Sequence, residues 1–164
     1  MIEIGESFVG DGAEAAHLNT VLGPRDGPVG TAWATALATP SAGHAPFVAV
    51  VRPGLPAKPL TLFVNKAAIA SDRHGTLTWG AAQAGVAAGV ADAAAELGLT
   101  DDDADGLVLI AAVWVSPDAA DADAVYRNNR AATFRAVLSG RAGQPALADV
   151  LEARHHPENP FFTP

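Results

Sequence analysis

The chain has 164 residues, 49% of them hydrophobic, no cysteine, and 18 acidic against 10 basic side chains, for a formal net charge of −8. That length fits one domain, residues 1–164, with a core of its own. The acid excess and the scattered Lys and Arg exclude a nucleic-acid surface, and the lack of cysteine excludes disulfides and thiolate metal sites. No apolar run approaches a membrane span, and Met1–Glu6 lacks the basic and apolar regions of a signal peptide, so a soluble cytoplasmic protein is expected. Much of the apolar content is alanine, which lets helices approach closely but buries little area per contact. Such a core leans on partner subunits.

In chain order, Ile4–Val9 reads as a strand closed by the turn Gly10-Asp11-Gly12. Ala16–Leu22 reads as a second strand, ended by Gly23-Pro24-Arg25-Asp26-Gly27-Pro28, so the two form a hairpin. Pro28 suits the first turn of a helix through Leu37, which Pro40 and Gly43 stop. Phe47–Val51 is a continuous apolar run and predicts one buried strand. The proline-rich stretch 52–59 is a stiff connection, and Leu60–Asn65 is the next strand. A helix is expected from about Gly80 to Leu97, stopped by Gly98, with Ala84, Gly85, Ala88 and Gly89 letting another backbone come close. Thr100–Gly106 reads as an acidic solvated loop without the EF-hand pattern. Leu107–Val115 is the most hydrophobic strand. Ser116 as cap and Pro117 in the first turn open a last helix to about Ser139, stopped by Gly140. The tail from Arg141 is polar and proline-bearing, with two readings: packed on a neighbour, or loose. The order is β-β-α-β-β-α-β-α, an α+β fold with a mixed sheet and helices packed on one face.

No GxGxxG, Walker, HExxH or GxSxG motif is present. Of the five histidines, only His155 and His156 are close in sequence. Neighbours cannot both face one metal from a regular element, so no metal site is expected. His17 stands apart by its setting, just beyond a turn whose glycines permit backbone shapes closed to other residues. Histidine exchanges a proton near neutral pH, so His17 has two readings: a functional residue, or a structural or surface histidine. Asp11 has two readings: an acceptor for a ligand's ring nitrogens, or the closure of its own turn. Lys66 ends a strand at the sheet rim, as a ligand contact or a solvated lysine. Gln83 sits in the first turn of the glycine-rich helix, against a ligand amide or solvent.

Several segments together resemble the formaldehyde-activating enzyme family. They are Val9-Gly10-Asp11-Gly12 with Ala16-His17, Gly23-Pro24-Arg25, Pro53-Gly54-Leu55-Pro56-Ala57-Lys58-Pro59, Thr61-Leu62-Phe63-Val64-Asn65-Lys66, and Gly80-Ala81-Ala82-Gln83-Ala84-Gly85-Val86-Ala87. Weaker echoes lie at Asp101 to Asp105, Tyr126 and Arg135-Ala136-Val137. The resemblance implies a fold like domain 2 of ribosomal protein S5. It implies a hydro-lyase that condenses formaldehyde with tetrahydromethanopterin, or a similar reduced pterin, to the methylene adduct with loss of water. It also implies a homopentamer with the pterin between subunits and no permanently bound cofactor, the pterin being a co-substrate. The family's histidine falls on His17 as general acid, worth roughly 10²–10⁴-fold, with Asp11, Asn19, Lys66 and Gln83 as substrate contacts.

Three departures surround the implied cleft. Asn19 stands where the family usually has an acid, two residues after the histidine. Ala84 stands where a histidine usually follows the helix glutamine, and residues 69–80 match poorly. They mark a divergent member and keep two other readings open: a non-catalytic pterin- or aldehyde-binding homologue, and a lyase acting on another carbonyl and amine.

Overall fold

The computed structural model describes residues 1–159 and 162–164. Strands β1 (Glu3–Val9) and β2 (Ala16–Pro24) form the expected hairpin, and α1 (Pro28–Ala38) follows with its proline in the first turn. The apolar run 47–51 is not one strand. It divides into β3 (Phe47–Val48) and β4 (Val50–Arg52), and β4 pairs with β5 (Leu55–Pro56) in a small separate hairpin. Between them Ala49 is buried, while Val51 points outward. The Ala49 N–H donates to the Thr61 carbonyl, and the Ala49 carbonyl accepts from Ala57. Strand β6 (Leu60–Asn65) falls where the pattern put it.

Helical structure begins earlier than expected. α2 (Asp72–Thr76), capped by Ser71, runs through a π-helical turn at Leu77–Ala82 into α3 (Gln83–Glu96). Gly98 then adopts a φ of 61°, the left-handed conformation that glycine reaches without penalty. The acidic stretch is not a loop. Asp101–Gly106 forms α4, because Thr100 and Asp103 make a reciprocal capping box and three aspartates sit at the positive end of the helix dipole.

β7 (Leu107–Trp114) precedes α5 (Ala122–Arg141). Ser116 does not cap α5: its hydroxyl accepts from the Asp118 N–H in a local turn, and Asp121 caps the helix instead. α5 continues through Gly140, and the tail carries a further short helix, α6 (Leu147–Ala153).

Among the described residues the main sheet has the order β1-β2-β7-β6-β3, with β6 and β7 parallel and the other pairs antiparallel. It is therefore a mixed sheet in an α+β chain. One face is closed by α3 and α5. Ala16, Leu18 and Leu22 of β2, Phe63 of β6, and Leu109, Ala111 and Val113 of β7 meet Val86, Val90, Ala132 and Ala136 there. The helices are not confined to that face. Gly23 projects from the opposite face of β2, and a β-carbon built on it would lie 2.7 Å from Val29 Cγ2 of α1. α1 thus covers the Gly23–Val108 end of the second face and leaves the His17 end open.

The close approach expected of α3 is real. A β-carbon on Gly85 would sit 2.5 Å from the Tyr126 carbonyl oxygen, and one on Gly89 would sit 2.5 Å from that of Arg130. Gly5 of β1 has no room at all, since its β-carbon would lie 1.8 Å from the Ala136 carbonyl oxygen of α5. Overpacking of this kind costs about 1–3 kcal/mol or more. Gly89→Val is therefore expected to lower the unfolding free energy by at least that amount in chemical denaturation. Gly80→Ala, which meets nothing within 4 Å, should leave it unchanged or slightly raised.

Candidate active site

Side chains alternate along a strand. Since Ala16, Leu18 and Thr20 of β2 face the helices, His17 and Asn19 face the other way. The register extends this into two rows. Phe8, His17 and Trp114 are cross-strand partners, and Glu6, Asn19 and Ala112 form the row beside them. Lys66 follows the Asn65–Val113 pair, and its backbone N–H donates to the Val113 carbonyl at 2.7 Å, which prolongs the ladder by one residue. Its side chain reaches the same face, where Nζ donates to Asn19 Oδ1.

The face therefore carries a compact polar group with aromatic flanks. His17 Nε2 lies 3.1 Å from Glu6 Oε1, with the two side chains 39% and 60% exposed. The Phe8 and His17 rings are 6.0 Å apart, centroid to centroid. Burial lowers the Lys66 pKa below its ordinary 10.5, and the Glu6 carboxylate works against that shift.

Two devices hold these residues in place. At the end of β6, the buried Asn65 amide donates to the carbonyls of Gly43 and Ala67, pinning the loops around Lys66. At the hairpin turn, Gly10 and Gly12 adopt φ values of 86° and 62°. Glu14 Oε1 accepts from the N–H groups of Ala120 and Asp121, and the Asn128 amide donates to the Glu14 carbonyl. The turn is thereby latched to the start of α5.

Asp11 is exposed on this turn. With Phe8, Gly12, Ala13, Trp114, Ser116 and Asp118 it lines a cavity of about 490 Å³ that adjoins the His17 row through Phe8 and Trp114.

The structure brings His17, Asn19 and Lys66 together and puts Asp11 at the neighbouring rim. It does not bring Gln83 to them within one chain. Gln83 lies in the helical layer, buried, with its Oε1 accepting from the Val50 N–H at 2.6 Å. Sequence reasoning passed over Glu6, Phe8 and Trp114. The signal for the first two was the hairpin itself: closing β1 on β2 so that Val9 meets Ala16 sets Phe8 opposite His17 and Glu6 opposite Asn19.

The other central histidines have backbone partners. His74 is buried; its Nδ1 accepts from the Ala70 N–H and its Nε2–H donates to the Val115 carbonyl. His44 Nδ1 lies 2.7 Å from the Asn65 carbonyl. Among the described residues no group of three or more His, Cys, Asp or Glu is placed to hold a metal ion, and no helix is long and apolar enough to cross a membrane.

A histidine beside a carboxylate, with a partly buried lysine and an amide on one open sheet face, is an arrangement able to exchange protons with a small polar molecule. Residues 4–162 match the formaldehyde-activating enzyme (Fae) family. The chain is 39% identical over 158 residues to the 5,6,7,8-tetrahydromethanopterin hydro-lyase of Methanosarcina barkeri, covering 96% of this chain and 89% of that protein. It is 40% identical over 152 residues to the bifunctional enzyme Fae/Hps of the same organism, covering 93% of this chain and 39% of that protein. A third relative, the bifunctional enzyme Fae/Hps of Methanothrix thermoacetophila, is 39% identical over 162 residues, 99% of this chain and 41% of that one. The chain thus spans about two fifths of the length of these bifunctional relatives. It belongs to the formaldehyde-activating enzyme family.

The opposed effects on Lys66 have a testable sign. Its folded pKa is lowered, so the unfolded chain holds that proton more tightly. The stability linked to this group rises as pH climbs from the folded pKa to 10.5. Carbon-13 NMR of the lysine ε-methylene should show Lys66 titrating below 10.5, and lower still in Glu6→Gln. A rise on that substitution would refute the assignment of Glu6 as its supporting charge.

Proposed function

We propose that this chain condenses formaldehyde with tetrahydromethanopterin, or a similar reduced pterin, to the methylene adduct with loss of water, with His17 as general acid. The observation that carries this reading is the placement of His17: a histidine beside a carboxylate on the open sheet face of a chain in this family. The reaction needs a proton donor of that kind. A pterin amine adds to the aldehyde carbon to give a carbinolamine, whose hydroxide is a poor leaving group. His17 donates a proton to that oxygen, the C–O bond breaks, and water departs while the nitrogen lone pair forms the iminium. The second pterin nitrogen closes the ring on the iminium carbon and releases a proton, which restores His17.

Lys66 and Asn19 serve as substrate contacts. The Lys66 ammonium stabilises the alkoxide formed when the amine adds. Its bond to Asn19 Oδ1 leaves the Asn19 amide nitrogen turned toward a ligand. Asp11, at the rim of the adjoining cavity, accepts from ring N–H groups of the pterin. Gln83 offers its amide nitrogen, the end not engaged by Val50. Because Gln83 and His17 lie on different sides of the sheet, a complete site takes His17 from one subunit and Gln83 from another.

This reading places residues 1–164, as a single domain with a fold like domain 2 of ribosomal protein S5, within one subunit of a cytoplasmic homopentamer without a permanently bound cofactor. Ile4 and Phe8, exposed on the open face, supply apolar surface for the contact between subunits.

The test is spectrophotometric, with formaldehyde and tetrahydromethanopterin followed with and without protein. The expected result is acceleration over the spontaneous reaction, reduced roughly 10²–10⁴-fold in His17→Ala. Pterin binding without turnover would favour the binding homologue instead. Light scattering on a sizing column should report five chains per particle. A monomer with full activity would refute the shared site.

A further inference from the structure

His17 has an acidic partner on the paired strand. Glu6 Oε1 lies 3.1 Å from its Nε2. The two residues come from paired strands, and Glu6 is the direct cross-strand partner of Asn19 itself. A carboxylate thus reaches His17 from one strand away, on the same face. An exposed pair of this sort adds little to folding stability, so its geometry calls for another explanation.

We propose that Glu6 is a positioning residue for His17, holding the ring by Nε2 so that the proton delivered to the departing oxygen is the one on Nδ1. This rests on the reading of His17 as the acid. An ionised carboxylate presents only lone pairs, so the ring nitrogen facing it must carry hydrogen. The imidazolium then keeps its Nε2–H toward Glu6 throughout, and the proton free to move is that on Nδ1. When it passes to the carbinolamine oxygen and water leaves, the neutral ring remains as the Nε2–H tautomer. The ring does not have to turn between protonation and the next cycle. Without Glu6 the ring samples other orientations about its side-chain torsions, and most of them point Nδ1 away from the substrate.

The experiment is a double-mutant cycle with a spectroscopic arm. Glu6→Gln should lower kcat by on the order of 10²-fold, as misplacement of a catalytic group does, with KM for the pterin little changed and thermal stability unaltered. In the His17→Ala background the same substitution should cost almost nothing further, because its route of action is gone. Equal costs in both backgrounds would mean that Glu6 acts independently of His17, through Lys66 for instance, and would overturn the proposal. Nitrogen-15 NMR of the His17 ring in the free protein needs no turnover. It should show the Nε2–H tautomer alone when the ring is neutral, and in Glu6→Ala the two nitrogen shifts should move toward the averaged values of a free imidazole mixture. A wild-type ring that is already a mixture, or an Nδ1–H tautomer, would also overturn the proposal. Should the wild-type protein fail to accelerate the formaldehyde reaction while the ring is held as stated, the proposed activity fails and the Glu6–His17 arrangement stands.

Discussion

The architecture depends on how closely α5 lies against its neighbours. Its backbone rests on Gly5 of β1, while Gly85 and Gly89 of α3 admit its carbonyls from the other side. Gly140, within α5, faces the backbone of Ile4 and Gly5. With so much alanine in the core, area per contact is small, and the helices compensate by coming close enough for backbone to meet backbone. This intimate packing fills one face of the sheet. The other face, under α1 only at its far end, is where polar side chains collect.

Electrostatics on that open face is a matter of three charges and an amide. Glu6, on the edge strand β1, contacts the His17 ring and acts by its charge on the Lys66 ammonium. The amide of Asn19 ties the lysine to the same row. A neutral residue at position 19 therefore does not leave the site without an anion. The Glu6 carboxylate pairs with His17 and opposes the lowering of the Lys66 pKa by burial.

Much of this was legible in the sequence, for physical reasons that differ by region. β1, β2, β6 and β7 announce themselves by apolar content and bounding glycines, and their observed limits lie within two residues of those expected. His17 and Asn19 share a face by period-2 alternation, while Lys66 joins them through the pairing of β6 with β7 and of β7 with β2. The failures are local competitions. Ser116-Pro117 has the form of a helix start, but Ser116 spends its hydroxyl on Asp118, and Asp121 offers a better cap. Thr100 and Asp103 hold a capping box that the acidity of the stretch disguised. The apolar run at 47–51 breaks because Ala49 bonds both to Thr61 of β6 and to Ala57, beyond the reach of a one-dimensional pattern. Glu6 needed a register, a relation between two strands that no single segment displays. Gln83 could be placed on its helix but not on a side of the sheet, since that depends on how the helix docks.

Strand β2 has two faces: its even-numbered residues through Leu22 turn to the helical layer, and its odd-numbered ones, His17 and Asn19 among them, turn away from it. Inserting or deleting one residue within it would turn the histidine into the alanine-lined interior and put Leu18 in solvent. The spacing of residues along this strand therefore tolerates change only in steps of two. The turn before it is bound just as firmly, because Glu14 and Asn128 fix its distance to α5. A side chain can therefore reach His17 from another strand only where the register puts it on the same face.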